Sequence, residues 1–265
     1  MTRSREVVGL IPCAGHATRI APLPCSKELL PVGLRQIGDG SWRPKVVSHH
    51  LLEKMREGGV SRAFFILRKG KWDIPEYYGD GTAFGIDLGY LIMGRPYGPA
   101  YTLDQAYPFV RDTLVAVGFP DILFEPRLAF RRALTRLHSA KTDLVLGLYR
   151  AHDIRIWDMV VVDRKGRVRE LLIRPDKTKT KLGWVFAVWS PRFTEFMHEY
   201  LAVPRTATEQ PGPKLPREVT VGEVIQAAVR EGLQTQSVVF PRHAYLDIGT
   251  PDNLIEAMKK SVSLA

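Results

Sequence analysis

The run IPCAGHATRIAPLPCSKELLPVG, residues 11–33, sets Gly, Ala, Thr and Ser around one arginine and one lysine, directly after the apolar Val7-Val8-Gly9-Leu10. Small residues let backbone N–H groups approach phosphate oxygens closely. Ala14, Gly15, His16, Ala17 and Thr18 form the candidate cradle. Arg19 adds a planar, permanently charged fork and Lys27 a point charge a few residues on. A polyphosphate would satisfy this set. By spacing alone, the segment equally reads as a β-to-loop turn with two solvated cations. No Gly-Lys-Ser/Thr triplet follows and the three-glycine spacing is missing, so this is neither a Walker A loop nor a dinucleotide fingerprint. Two carboxylates stand just past later apolar runs: Asp121 after LVAVGFP, and Asp247 after AYL and before a Gly-Thr turn. Carboxylates at the ends of separate strands suit Mg²⁺, and each also suits a local side chain–backbone turn.

The elements that would hold these residues alternate. Strands are expected at Val7–Pro12, Ala63–Leu67, Leu88–Met93, Leu114–Val117 and Asp143–Tyr149. Helices are expected at Val46–Glu57, ended by Gly58-Gly59, at Thr102–Val110 and at Glu125–His138. This order predicts an α/β fold with a Rossmann-like, mostly parallel sheet and helices on both faces. Ligands then sit at the carboxyl ends of the strands. The second half predicts a hairpin, Met159–Asp163 with Val168–Ile173, across Arg164-Lys165-Gly166. A strand Gly183–Trp189, helices Phe193–Leu201 and Val221–Glu231, short strands Ser237–Phe240 and Ala244–Leu246, and a closing helix Pro251–Ser261 follow. One domain over 1–265 is expected, with a nucleotide-binding half 1–150 and an acceptor-binding half 151–265 carrying a mobile Pro-rich loop at 202–219.

The 265 residues can bury about three quarters of their unfolded surface, enough for a core without staples. Hydrophobic content is 45% and charged content 25%, as in ordinary globular proteins. No apolar run is long enough to span a bilayer and MTRSREVV lacks a signal core, so a cytoplasmic protein is expected. Cys13 and Cys25 then read as reduced thiols. The 38 Lys+Arg against 28 Asp+Glu give a net charge of +10, a field that attracts phosphates, nucleic acids and anionic surfaces alike. Arg127, Arg131, Arg132 and Arg136 on one helix, with RPDKTKTK at 174–181, read as solvated basic faces. Without a zinc-ligand spacing or nucleic-acid motif, a nucleic-acid partner is not expected. His16, His49, His50 and His243 have no metal-site spacing.

Several collinear segments together resemble the sugar-phosphate nucleotidylyltransferases, nearest the glucose-1-phosphate thymidylyltransferase branch. AGHATR with Pro22-Leu23, then Lys27 and LLPVG, is similar to that family's first loop. RPKVVSHHLLEKMREGGVSRAFFIL, YYGDGTAFGIDLGYLI, VAVGFPDILF and HAYLDIGTPDNLIEAMK are similar to later family segments, so the likeness runs over nearly the whole chain. The resemblance implies the nucleotide-diphospho-sugar transferase type of fold. It implies transfer of a nucleoside monophosphate from an NTP, dTTP or UTP favoured, to a sugar 1-phosphate, with pyrophosphate released. Asp121 and Asp247 match the metal-binding aspartates, implying Mg²⁺. Arg19 would hold the triphosphate, and Lys27 would sit near the α-phosphate. Gly98 and Tyr101, in GPAYT, match a base-reading stretch, and Gly81 matches a base-pocket loop. Relatives of this kind are often homo-oligomers.

Departures from the family pattern bear on the acceptor. Ala17 replaces a glycine and is expected to disfavour left-handed geometry there. Phe119 and Pro120 precede Asp121 where the family has glycine before the acid. Ile173 stands where the branch has a sugar-binding glutamate, and Arg174 where it has a phosphate-binding lysine. Trp184 and Trp189 read either as apolar pocket lining or as a core strand. A non-sugar phosphate acceptor, as in cytidylyltransferases, and a non-catalytic nucleotide- or nucleic-acid-binding relative on the same fold are the alternatives.

Overall fold

The computed structural model describes residues 5–94, 98–202, 218–242 and 244–262. Strands β1 (Val7–Cys13), β4 (Arg62–Arg68) and β6 (Leu114–Gly118) are largely buried apolar runs, and with the half-exposed edge strand β5 (Asp87–Met93) they pair in parallel, in the order β6-β1-β4-β5. β11 (Leu182–Trp189) then lies antiparallel between β6 and β8 (Leu144–Arg150), and β12 (Thr235–Val239) closes that edge parallel to β8. The sheet is therefore mixed and mostly parallel. The expected hairpin forms as β9 (Met159–Val162) and β10 (Val168–Leu172), attached to β11 through Gly183.

Alternation along the strands sorts the core into two layers. Ile11, Ala116, Val145 and Tyr149 face one cluster with Leu51, Leu52 and Met55 of α1 (Val47–Gly58) and Phe130, Ala133 and Leu137 of α5 (Ala129–Ala140). Leu10, Val117, Leu146 and Leu148 face the other cluster. There they meet α3 (Pro99–Asp104), α6 (Pro191–Ala202) and α7 (Val221–Arg230). Helices thus cover both faces, as the element order predicts.

The structure adds elements and trims others. A hairpin of β2 (Pro31–Gln36) and β3 (Trp42–Val46) precedes α1, and a short α2 (Asp73–Tyr78) follows β4. The helix expected over 102–110 is two short ones, α3 and α4 (Tyr107–Val110), because Pro108 opens the second in its first turn. α5 starts at Ala129 rather than Glu125, since Pro126 intervenes. A short strand β7 (Ile122–Phe124) pairs antiparallel with β13 (Tyr245–Asp247). α8 (Pro251–Val262) packs on β2 through a third small cluster containing Leu30, Val32, Val47, Ile248 and Ala257. Most of the expected mobile loop, 203–217, and His243 lie outside the described residues. Among the described residues no helix is long and apolar enough to cross a membrane, and Cys13 and Cys25 are free.

Candidate active site

Strand order reverses at β1, whose neighbours β4 and β6 lead away in opposite directions. A crevice opens at the carboxyl ends of strands at such a point. Here the loop after β1 and the segment after β6 meet, and Phe119, Asp121 and Pro99 line both halves of a continuous cleft. One half, about 380 Å³, is lined by Ala14, Gly15, His16, Lys27, Gly98 and Thr102. The other, about 510 Å³, is lined by Arg19, Trp157, Asp158, Arg174, Trp184 and Asp247.

Lys27 sits in a 3₁₀ turn, Lys27–Leu29, whose flanks are fixed from below. The Ser26 amide and hydroxyl donate to the Asp73 carboxylate at 2.6 and 2.7 Å. Glu28 is fully buried and accepts two 2.7 Å bonds from the Lys71 ammonium, itself 3% exposed. Ser48 donates to the Glu28 carbonyl at 2.6 Å. With both neighbours held, the Lys27 ammonium reaches Asp121 Oδ2 at 2.5 Å. Burial by itself would lower the Lys27 pKa. The charge and hydrogen bond of Asp121, with Glu28 and Asp247, outweigh that and hold it above its usual range.

Asp121 and Asp247 are brought together by the β7–β13 pair, in which Asp247 stands opposite Ile122 and the Ile248 amide donates to the Asp121 carbonyl at 3.0 Å. The Gly249 amide donates to Asp247 Oδ1 at 2.7 Å, and Asn253 holds the Asp247 carbonyl at 2.7 Å. Burial raises the Asp247 pKa, and the Asp121 charge adds to that rise. Lys27 and Arg19 oppose it. Arg19 approaches Asp247 Oδ2 at 3.9 Å while its side chain stays 60% exposed, so it is tethered at one end and free to swing. A side chain at Gly249 would fall 2.5 Å from the Arg19 guanidinium. Asp121, Asp247, Lys27 and Arg19 sum to no net charge, and an incoming triphosphate would leave this cluster strongly negative. Two carboxylates at the junction of the two cleft halves are the donor set a hard divalent cation takes when phosphate oxygens and water supply the rest. Among the described residues no group of three or more His, Cys, Asp or Glu could hold a metal by itself.

The remaining expected residues divide. Gly98, left-handed at φ +103, sits against the Val219 backbone and turns into α3 beside the cleft. Tyr101 packs with the second core cluster, while Pro99 and Thr102 line the cleft. Gly81 must be corrected. Its turn precedes β5, at the amino edge of the parallel strands and away from the cleft. There its φ of +90 and a hypothetical Cβ 1.9 Å from the Ile86 carbonyl explain the glycine by turn geometry. Ala17 also departs from expectation: it takes the left-handed conformation, φ +54, and its carbonyl accepts from the Ile20 and Ala21 amides at 3.1 Å. It lines a separate cavity behind the loop with Cys25 and Lys71, and Thr18 lies exposed in the same turn. Arg174 lines the larger cleft half in left-handed geometry, φ +43, and Ile173 lines a different cavity with Glu170 and Tyr200. Trp184 lines the cleft and packs on Phe119 at 5.6 Å, because the start of antiparallel β11 lies at the carboxyl edge of the parallel strands. Trp189, at the opposite end of β11, is core and donates to Thr194 at 2.9 Å.

Sequence reasoning missed Phe119, Trp157, Asp158, Thr220 and Val221 as cleft residues. Their signal was the unexplained Phe-Pro before Asp121 and an acid, Asp158, at the start of a hydrophobic hairpin strand. Of the four arginines expected on one helix, Arg127 precedes α5, and Arg127, Arg131 and Arg136 each tie to a neighbouring element. Arg127 pairs with Glu57, Arg131 donates to the Glu57 carbonyl at 2.7 Å, and Arg136 donates to Lys165 and Gln236.

Comparison with known proteins matches residues 8–263 to the family described as Nucleotidyl transferase. Low-salt glycan biosynthesis nucleotidyltransferase Agl11 of Haloferax volcanii is 24% identical over 253 residues, 94% of this chain and 64% of the relative. A glucose-1-phosphate thymidylyltransferase of Streptomyces antibioticus is 24% identical over 258 residues, again 64% of its own length. The chain thus spans just under two thirds of these relatives. Among solved structures, UDP-glucose pyrophosphorylase complexed with UDP-glucose superposes with a TM-score of 0.78 at 14% identity, covering 98% of this chain and all of that one. UTP-bound UGPase from Acinetobacter baumannii gives 0.77 at 14%, covering 96% and 93%. These structures share the fold.

Proposed function

The chain belongs to the nucleotidyl transferase family, and on that premise we propose that it joins a nucleoside monophosphate from an NTP, dTTP or UTP, to a sugar 1-phosphate and releases pyrophosphate. The observation that carries this reading is the convergence of Lys27, Arg19, Arg174 and the Asp121–Asp247 pair on one cleft at the strand-order reversal. The acceptor's phosphate oxygen attacks the α-phosphorus in line as pyrophosphate leaves. The nucleophile is already an anion, so the protein supplies positioning and charge rather than a general base.

The loop half of the cleft takes the nucleotide, with backbone amides of Ala14–His16 toward the phosphates and Gly98 and Thr102 toward the base. Lys27, held between two anchored neighbours, stays beside the α-phosphate. Arg19, exposed and loosely tethered, follows the departing pyrophosphate. Arg174 fixes the acceptor's phosphate from the other half. Asp121 and Asp247 would hold Mg²⁺, which when bound draws charge off the phosphates.

The test is pyrophosphate release with Mg²⁺, each NTP against a panel of sugar 1-phosphates and headgroup phosphates. One NTP and one acceptor should support turnover, and Lys27→Ala should lower it about 10²–10³-fold. Absence of both turnover and nucleotide binding would overturn the reading. Turnover with a headgroup phosphate alone would keep the transferase and replace the sugar.

A further inference from the structure

Asp158 lies in the acceptor half of the cleft, immediately before β9, among Phe119, Trp157 and Trp184. Apart from Asp121 and Asp247, it is the one carboxylate among the described residues lining this cavity. The Trp184 side chain and the Arg174 backbone hydrogen-bond to it, and its Oδ2 lies where a Cβ on Gly222 would come within 2.1 Å. Its Oδ1 is buried and has no hydrogen-bond partner among the described residues. An ionised carboxylate has about four acceptor positions, so this one is well short of its complement. Burial raises its pKa; Glu223 adds to the rise, while Trp184 and Arg174 oppose it.

The bonds from Trp184 and Arg174 position the carboxylate without satisfying Oδ1. It stands beside the first turn of α7, but that terminus already carries a complete capping box: Thr220 Oγ1 accepts from the Glu223 amide and Glu223 from the Thr220 amide. Among the described residues no close ion pair holds the carboxylate; Arg174 meets it through its backbone, and its charge acts from farther off. A desolvated, half-satisfied acid costs stability, and a ligand that supplies the missing donor explains why it is there.

We propose that Asp158 is a specificity-determining residue that accepts a hydrogen bond from a hydroxyl or ammonium group of the phosphorylated acceptor. This rests on the transferase reading above. Arg174 beside it takes the acceptor's phosphate, so the donor group Asp158 reads lies on the body of the molecule. The aromatic walls cover the apolar face of a sugar ring, or the alkyl part of an amine. Ile173 lines the neighbouring cavity, with its Cδ1 near the same Gly222 position, and offers no polar atom for this recognition.

The experiment compares wild type, Asp158→Asn and Asp158→Ala with a sugar 1-phosphate, its single-deoxy analogues and its amino analogues, alongside nucleotide calorimetry and thermal melts. Asp158→Ala should lower kcat/KM for the full acceptor about 10- to 100-fold with nucleotide affinity unchanged. One deoxy analogue should be handled poorly by wild type and lose nothing further in the variant; its missing hydroxyl is the group read. If the amino analogue is the best substrate, Asp158→Asn should penalise it more than the hydroxyl form. Asp158→Asn should also melt higher than wild type at pH 7, since it removes a desolvated charge. Equal losses on every analogue, or no loss on any, would overturn the assignment while leaving the transferase standing. Wild-type inactivity with every acceptor would remove both.

Discussion

The lysine at the centre of the cleft is held in place by buried residues around its turn. Beneath it, Glu28 and Lys71 form an ion pair at 0% and 3% exposure, bonded twice at 2.7 Å. Two charges out of water attract strongly, but removing one strands the other. Lys71→Met should therefore destabilise the protein by about 3–5 kcal/mol in urea unfolding. Glu28→Leu combined with Lys71→Met should recover most of that, because the apolar pair leaves no orphan charge. A cost under about 1 kcal/mol for Lys71→Met would mean that water reaches the pair. Activity should separate from stability: the double variant, even if well folded, should turn over more slowly, since the turn carrying Lys27 loses one of its two anchors. Arg19 and Lys27 could be picked out of the sequence as the two cations of a small-residue loop, and Asp121 and Asp247 as acids just past apolar runs. Lys71 could not, because nothing local distinguishes a buried lysine from a solvated one.

Among the elements, the central strands were legible because their side chains are buried on both faces, and the helices and hairpin because their apolar residues recur in step with the element. β1, β4, β6 and β8 are continuous aliphatic runs and stand where expected. β3 was missed because WRPKV is mostly exposed and carries a proline, so neither apolar alternation nor propensity marks it. The β1 loop shows the limit of reading conformation from residue type. An alanine at 17 argued against a left-handed backbone, yet the turn that closes on the Ile20 and Ala21 amides puts it at φ +54. A left-handed alanine costs about 1–2 kcal/mol, partly offset in a glycine variant by the larger entropy of the unfolded chain. Ala17→Gly should thus stabilise the protein by a net of about 0.5–1 kcal/mol in thermal melts. Destabilisation would mean that the methyl group contributes packing that outweighs the strain.

Over the whole molecule, the cleft is assembled from distant stretches: the β1 loop, the segment after β6, the β9–β11 unit and the turn before α8, with the starts of α3 and α7 completing its walls. The first, second and fourth of these carried charged residues at strand ends and were visible. In the acceptor half Arg174 and Trp184 were candidates, but Trp157 and Asp158 were not, because they join Trp184 only when the antiparallel β11 reverses the direction of the sheet. Burial on this scale also sets how the fold responds to acid. α1 lies in the larger core cluster and carries His49 and His50, whose pKa values burial lowers to about 4 and about 3. Lys45 and Lys54 push His50 further down, and Glu53, facing both rings, only partly offsets them. Among the described residues His49 Nδ1 and His50 Nε2 are buried without partners, while His49 Nε2 lies 3.6 Å from Glu53 Oε1. Both fold as neutral rings and titrate near 6.5 when unfolded, so the unfolded chain binds more protons between those values. Their contribution to stability is complete above pH 6.5 and is lost as the pH falls toward 4 and then 3. Unfolding free energy should drop by about 1–2 kcal/mol per histidine between pH 7 and pH 5. Replacing both with Gln should flatten that slope in parallel urea titrations, and an unchanged slope would place the acid sensitivity in the carboxylates instead.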